Sequence, residues 1–391
     1  MADARPPPIL VATLPDVRPL AAILKCLSFR SQATLKMGHD GLRFTVEEGR
    51  GLQAHAYISA PSFSTYAFSL SPTDPAALSH SPSSPSSSPT PGLDADAEGQ
   101  GDQPFCQTSV SLATLLECLN IFGNAGSSGA GAGNPFKRER EGTGFGDDEA
   151  GSEFGGRRKR QGGGREEEDA DAGREKTSLR LSYQALGEPV VLLLEESGIV
   201  TRCELTTYEP EGLLDLAFPD DDRVVRLIMK SEWLRDALAE LPASSDKLSI
   251  SFAPPSAGGS ASDRSQYKRR RVDDGFGEQE EEEEEEERAP LFRLESTGTM
   301  GSTEMDYSDD HAVLEVFECD APCRNTYKFS HVQLTKNALN ASIKTSIRTS
   351  PPGLASFQFM IPLSPRGAAA SVNQGKVGFV EFLVVALDED Y

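Results

Sequence analysis

No apolar run in this 391-residue sequence approaches the ~18 to 20 residues of a membrane-spanning helix. The opening stretch, residues 1–8, lacks the apolar core of a secretory signal. The expectation is a soluble, non-secreted chain with no membrane partner. Basic charge is short: 38 Lys and Arg stand against 61 Asp and Glu, a formal net charge of −23. Such a field repels nucleic acid, so any contact with it must come from a local basic face. The six cysteines are scattered through apolar segments, as buried free thiols of a reducing compartment are. Only Cys319 and Cys323 are close, and no second Cys or His pair stands at ligand spacing beside them. The five histidines are dispersed, and none is read beside a Ser or Cys nucleophile; His55, His311 and His331 read as surface or satisfied structural residues. Carboxylates are plentiful but badly placed for holding Mg²⁺. Glu280–Glu287, Asp94 with Asp96, and Asp388-Glu389-Asp390 lie in low-complexity segments or at the tail, not on a rigid element. No metal or cofactor is implied.

What is present falls into ordered and low-complexity parts. Gly, Pro, Ser and charge concentrate at about residues 71–103, 124–176 and 254–290, segments too polar to offset the entropy of ordering them. The rest, roughly 270 residues, suffices for two domains of ordinary size. A strand over 9–14 leads to Asp16 as helix cap and to Val17, Leu20, Ile23, Leu24 and Leu27 at helical spacing. Alternating stretches at 34–37, 42–46, 52–60 and 63–70 follow, with His39-Asp40-Gly41 as a hairpin turn. A strand over 105–110 precedes a helix capped by Ser111, with Leu112, Leu115, Leu116 and Leu119 on one face. Strands at 178–185, 189–195 and 199–208 complete this half, the last two joined at Ser197-Gly198.

The order then starts again. A strand over 224–229 runs into Ser231 as cap and a stripe of Trp233, Leu234, Ala237, Leu238 and Leu241, stopped by Pro242. Strands at 247–252, 291–295, 311–319 and 326–330, a helix over 333–341, and strands at 342–348, 354–361 and 376–387 follow. An element order that occurs twice signals internal duplication. It predicts an α+β architecture of two repeated domains, each with antiparallel sheets and two helices on one face. The boundaries are 9–207 and 220–388, with 208–219 as connector.

The exposed helix faces carry Arg18 and Lys25 on the first helix, Lys230 and Arg235 on the third, and Lys336 on the fourth. Glu117, Glu232, Asp236 and Glu240 on the same helices offset them. The opening segments Leu10–Leu14, Ile23–Lys25 and Gly41–Glu47 resemble the start of a eukaryotic sliding clamp. More narrowly, Leu115–Gly123, Leu192–Thr201, Glu209–Glu211 and Ser346–Thr349 resemble the checkpoint protein Rad-one family. The likeness covers the ordered residues in order and stops at the three low-complexity blocks.

That resemblance implies a sliding-clamp fold related to the proliferating cell nuclear antigen. It further implies a heterotrimeric ring with Rad-nine-type and Hus-one-type partners, set on double-stranded DNA without sequence specificity by a clamp loader. Its role would be to recruit checkpoint and repair proteins in the nucleus. It makes Arg18, Lys25, Lys230, Arg235 and Lys336 the DNA-facing inner wall, with Tyr208, Leu213, Leu214 and Leu216 in a partner-binding connector. The three leucines read from sequence either as core plugs or as part of a shallow apolar pocket. By family position, ring-closing edges are expected at 199–207 and 311–319. The clusters Arg157-Arg158-Lys159-Arg160 and Lys268-Arg269-Arg270-Arg271 are candidate nuclear localisation signals. Three other readings compete: a 3′–5′ DNA exonuclease, a homotrimeric replication clamp, and an acidic chromatin binder suggested by the glutamate run.

Overall fold

The computed structural model describes residues 7–70, 104–123, 176–254, 291–363 and 377–387, apart from 215, 217, 219–222, 243, 300, 308 and 309. The three low-complexity blocks, both basic clusters, the glutamate run, Asp94, Asp96 and Asp388–Asp390 therefore lie outside the described residues.

The first half runs β1 (Leu10–Leu14), α1 (Arg18–Cys26), β2 (Gln32–Gly38), β3 (Gly41–Glu48), β4 (Leu52–Ser59), β5 (Thr65–Phe68), β6 (Cys106–Ser111), α2 (Leu112–Leu119), β7 (Ser178–Tyr183), β8 (Val190–Glu196), β9 (Ile199–Leu205) and the short β10 (Thr207–Tyr208). The second runs β11 (Val225–Lys230), α3 (Ser231–Glu240), β12 (Ser245–Phe252), β13 (Phe292–Gly298), β14 (Gly301–Tyr307), β15 (Leu314–Cys319), β16 (Cys323–Lys328), α4 (Phe329–Gln333), α5 (Lys336–Ala341), β17 (Lys344–Thr349), β18 (Ala355–Pro362) and β19 (Val377–Val384). These are mostly antiparallel sheets with few helices.

Local chemistry accounts for the turns. At the β2–β3 hairpin Gly41 has φ +138°, and a Cβ there would come within 2.2 Å of the Ile58 carbonyl oxygen, so only glycine fits. Ser197 and Gly198 join β8 to β9 with φ of 52° and 78°, the signature of a type I′ hairpin. Ser111 caps α2 as expected, its hydroxyl accepting from the Thr114 N–H. Asp16 accepts the Arg18 N–H at 3.0 Å, although the helix cap position falls on Val17.

The sheets repeat element for element. A five-stranded sheet has the order β5-β1-β7-β8-β9, and a four-stranded one has β14-β13-β12-β16. The third sheet has ten strands, β10-β6-β2-β3-β4-β19-β18-β17-β11-β15. It is the four-stranded unit β6-β2-β3-β4 of the first half, edged by the short β10, joined to the five-stranded unit of the second. The seam is β4 against β19, antiparallel, with Leu52 opposite Val384 and Tyr57 opposite Phe379. Ala54, Ala56, Val380, Phe382 and Val384 point from the seam into one continuous apolar core. Phe382 lies against Phe29 and, edge to face, Phe359.

Four local expectations need correction. Trp233 is not in the α3 stripe; it is 41% exposed, and Ser231, Leu234 and Ala237 are the buried positions. Ser231 does not cap α3, because its hydroxyl is buried and bonded to those of Thr345 at 2.8 Å and Ser342 at 2.7 Å. The helix expected over 333–341 is two, since Thr335 turns back on Val332 through both its N–H and its hydroxyl. Strand β14 is not among the expected strands. Its inward positions are only Thr303, Met305 and Tyr307, alternating with Ser302, Glu304 and Asp306, which makes a weakly apolar edge.

His55 supplies a test of the seam. It is 5% exposed on β4, its Nδ1 pairs with the Thr45 hydroxyl at 3.0 Å, and burial together with the Arg43 charge pushes its pKa down to about 3. The unfolded chain therefore binds a proton that the folded chain refuses, so this stability is complete above about pH 6.5 and declines as pH falls toward 3. Denaturant unfolding should show His55 costing about 2 kcal/mol between pH 7 and pH 5, and His55→Gln should remove that part of the slope.

Candidate nucleic-acid interface

Helices α1, α2, α3 and α5 lie on the buried side of the ten-stranded sheet as a contiguous row, α2 beside α1, α1 beside α5 and α5 beside α3. Each buries an apolar stripe: Leu20, Ile23 and Leu24 on α1, Leu112, Leu115 and Leu119 on α2, Leu234 on α3, Leu339 on α5. Across the two halves, Asn337 Nδ2 of α5 donates to the Lys25 carbonyl of α1 at 3.4 Å.

This layer treats the five expected basic residues differently. Lys25 sits half-buried in the last turn of α1, where desolvation lowers its pKa. Lys336 opens α5 beside it, exposed and with no ion-pair partner among the described residues. Together they form the cationic part of the α1–α5 contact. Arg235 is half-buried and held by its neighbour Asp236 at 3.1 Å. Arg18 is folded onto Asp16, with Nη2 2.7 Å from Oδ2, so its charge is neutralised locally. Lys230 stands directly opposite Lys344 across β11 and β17, on the face turned away from the helices, and pairs with Glu232 at 3.8 Å. Sequence spacing gave no sign of either outcome, because one depends on a rotamer and the other on strand alternation at the end of β11.

The connector is laid over that other face. Thr108 Oγ1 donates to the Tyr208 carbonyl at 3.2 Å. The Leu214 N–H donates to Glu47 Oε2 at 2.9 Å, and Gln53 Nε2 donates to the Leu214 carbonyl at 2.8 Å. The Arg348 guanidinium stacks on Phe218 at 4.7 Å and also donates to Glu381 at 2.9 Å. Tyr208 is exposed, and Leu213, Leu214 and Leu216 are each half-buried. Glu47 and Gln53, which clasp this segment, were missed in the sequence because they are ordinary polar strand residues.

Among the described residues no three His, Cys, Asp or Glu side chains gather as a metal site. Cys118 and Cys203 touch across α2 and β9 with the Cys118 thiol pushed up to about 11, first by burial and then by its partner. In the described residues no helix is long and apolar enough to cross a membrane.

Residues 9–361 match the family described as Repair protein Rad1/Rec1/Rad17. "Cell cycle checkpoint protein RAD1" of Homo sapiens is 27% identical over 373 residues, covering 95% of this chain and 90% of that protein. "DNA repair exonuclease REC1" of Mycosarcoma maydis is 30% identical over 459 aligned residues, with 97% and 96% covered. "DNA damage checkpoint control protein rad1" of Schizosaccharomyces pombe is 24% identical over 373 residues, with 95% and 84% covered.

The clasp on the connector can be opened without touching the core. Gln53→Ala combined with Glu47→Ala should create a new site of limited proteolysis within residues 209–223, in addition to any in the low-complexity segments. The unfolding midpoint should shift by no more than about 1 kcal/mol per lost hydrogen bond.

Proposed function

Because the chain belongs to the Rad1/Rec1/Rad17 family of repair proteins, we propose that it is a noncatalytic subunit of a ring-shaped clamp. That clamp encircles double-stranded DNA at damage sites and recruits checkpoint and repair proteins. In this reading residues 9–207 and 220–388 are two clamp domains, linked by the connector.

The observation that carries the reading is the β4–β19 seam. It joins the last strand of the four-stranded unit in one half to the last strand of the five-stranded unit in the other, a head-to-tail contact. The equivalent strands that remain are β9 and β14, each with a single neighbour in its sheet. A heterologous contact that repeats generates a ring when its rotation closes. Ring closure through β9 and β14 therefore reproduces between chains what already exists within one. The edge expected at 311–319 is indeed terminal, as β15, but its counterpart in the first half is β5, which makes no such seam. Ile199 and Val200 on β9 are each 61% exposed, an apolar edge that a partner strand would cover.

Rad-nine-type and Hus-one-type subunits are the partners proposed for the two edges, with a clamp loader opening the ring. Lys25 and Lys336 lead the DNA-facing wall, flanked by Arg235. A wall this weakly basic suits topological linkage, which needs no base contacts and permits sliding. The nucleus is the proposed compartment, with the two basic clusters as import signals.

A second reading has support in the name of the fungal relative, an exonuclease. Metal-dependent cleavage of labelled DNA by the purified chain, lost on Asp388→Ala with Asp390→Ala, would establish it. The clamp reading expects no such cleavage.

Absolute mass by light scattering should give a monomer alone and a one-to-one-to-one trimer with both partners. A stable trimer of this chain alone would make it a homotrimeric clamp instead. Lys25→Glu with Lys336→Glu should leave assembly intact but shorten retention of the loaded ring on circular DNA; unchanged retention would remove the assigned wall.

A further inference from the structure

Two of the six cysteines meet at the open edge of the five-stranded sheet. Cys203 ends a row of directly opposed residues that crosses this sheet: Ala12 of β1, Leu181 of β7, Leu192 of β8 and Cys203 of β9. Directly opposed residues share a sheet face. Ala12, Leu181 and Leu192 are buried in the core, so Cys203 points inward as well. Its strand is terminal, with β8 as its single neighbour in the sheet, and Cys203 is only half-buried. Cys118 lies in the last turn of α2, which packs against β9. It too is half-buried, three residues after the buried Leu115. The two thiols are hydrogen-bonded to each other.

The other four thiols are placed differently. Cys26 and Cys106 are buried, and the Cys26 thiol donates to the Ala22 carbonyl oxygen at 3.4 Å. Cys319 donates to the Ala321 carbonyl oxygen at 3.2 Å, so the nearby Cys319 and Cys323 have one thiol committed to backbone. Burial pushes Cys26 up to about 12 and Cys323 up to about 11, which holds both as thiols, whereas the thiolate is the reactive form. Cys118 is held as a thiol in the same way. What sets Cys118 apart is a second thiol in contact with it, because a juxtaposed partner reacts at an effective concentration far above any in solution.

We propose that Cys118 and Cys203 form a modification site for hydrogen peroxide, closing to a reversible disulfide between α2 and the edge strand β9. Cys203 takes the first step, because its strand edge is open while burial, Cys203 itself and Glu117 hold Cys118 protonated. The Cys203 thiolate attacks one peroxide oxygen and the O–O bond breaks. The products are a sulfenic acid and, with the proton that Cys203 gave up, one water. The Cys118 sulfur then attacks the sulfenic sulfur, the S–O bond breaks, and the departing hydroxide leaves with the Cys118 proton as a second water. The two thiols together lose two electrons and two protons, and one peroxide is reduced to two waters. A thiol reductant opens the bond again, which makes the modification transient in a reducing compartment. On the clamp reading a partner strand paired with β9 covers Cys203, so the modification belongs to the unassembled chain; this consequence alone rests on that reading.

The test uses the full chain alone, so its failure and that of the clamp reading are distinguishable. Hydrogen peroxide in reductant-free buffer, followed by alkylation, digestion and mass spectrometry, should yield a cross-linked peptide pair joining Cys118 to Cys203, two hydrogens lighter than its parts. The chain should lose two of its six alkylatable thiols, and dithiothreitol should restore them. Unfolding in urea before the peroxide is added should remove the preference for this pair. Cys118→Ser should leave Cys203 as a sulfenic acid that dimedone traps, and Cys203→Ser should leave Cys118 unmodified. Six free thiols after a peroxide dose that oxidises glutathione would overturn the proposal, as would disulfides found only between chains or between Cys319 and Cys323. Equal yield of the Cys118–Cys203 pair from folded and urea-unfolded chain would overturn it too, since the fold would then contribute nothing.

Discussion

Everything in this molecule hangs on one backbone pairing, β4 against β19. Those strands come from opposite ends of the chain, and their hydrogen bonds turn two small sheet units into one sheet of ten strands. The pairing is specified on both faces. On the buried side Ala54 and Ala56 leave room for Phe382 and Val380, and on the solvent side Gln53, His55 and Tyr57 stand opposite Leu383, Glu381 and Phe379. A slip of one residue would send Phe382 to solvent and Glu381 into the core, so the register is strongly enforced. The connector then closes over the seam through Glu47 and Gln53.

The two faces of that sheet carry different chemistry. The buried face supports the helix row, whose charges of both signs leave Lys25 and Lys336 as its main cationic spot. The solvent face carries a neutralised network, in which Arg348, Ser356 and Gln358 surround Glu381, beside the exposed Tyr57–Phe379 pair.

The element order was legible in the sequence because helices and buried strands carry strong periodicity and the order occurs twice. Ser197-Gly198 and His39-Asp40-Gly41 marked their hairpins through turn chemistry alone. What stayed illegible depends on neighbours distant in sequence. β14 has too few apolar residues to announce a strand, Ser231 is diverted by hydroxyls on β17 and after α5, and Trp233 sits on a helix whose buried stripe is narrower than its apolar one. Of the candidate wall residues, Lys25, Arg235 and Lys336 lie on the helix row, while Arg18 is tied to Asp16 and Lys230 belongs to the far face. The Tyr57–Phe379 pairing could not be found from spacing at all, since its members come from strands of both halves and meet only through register.

The central claim is that β9 and β14 are the free counterparts of the internal seam. Hydrogen exchange of backbone amides, measured on the chain alone and in the presence of both clamp partners, tests it most directly. The account predicts new protection at residues 199–205 and 301–307, with the amides of β15 unchanged. Protection that appears on β15 or β5 while β9 and β14 stay open would contradict it.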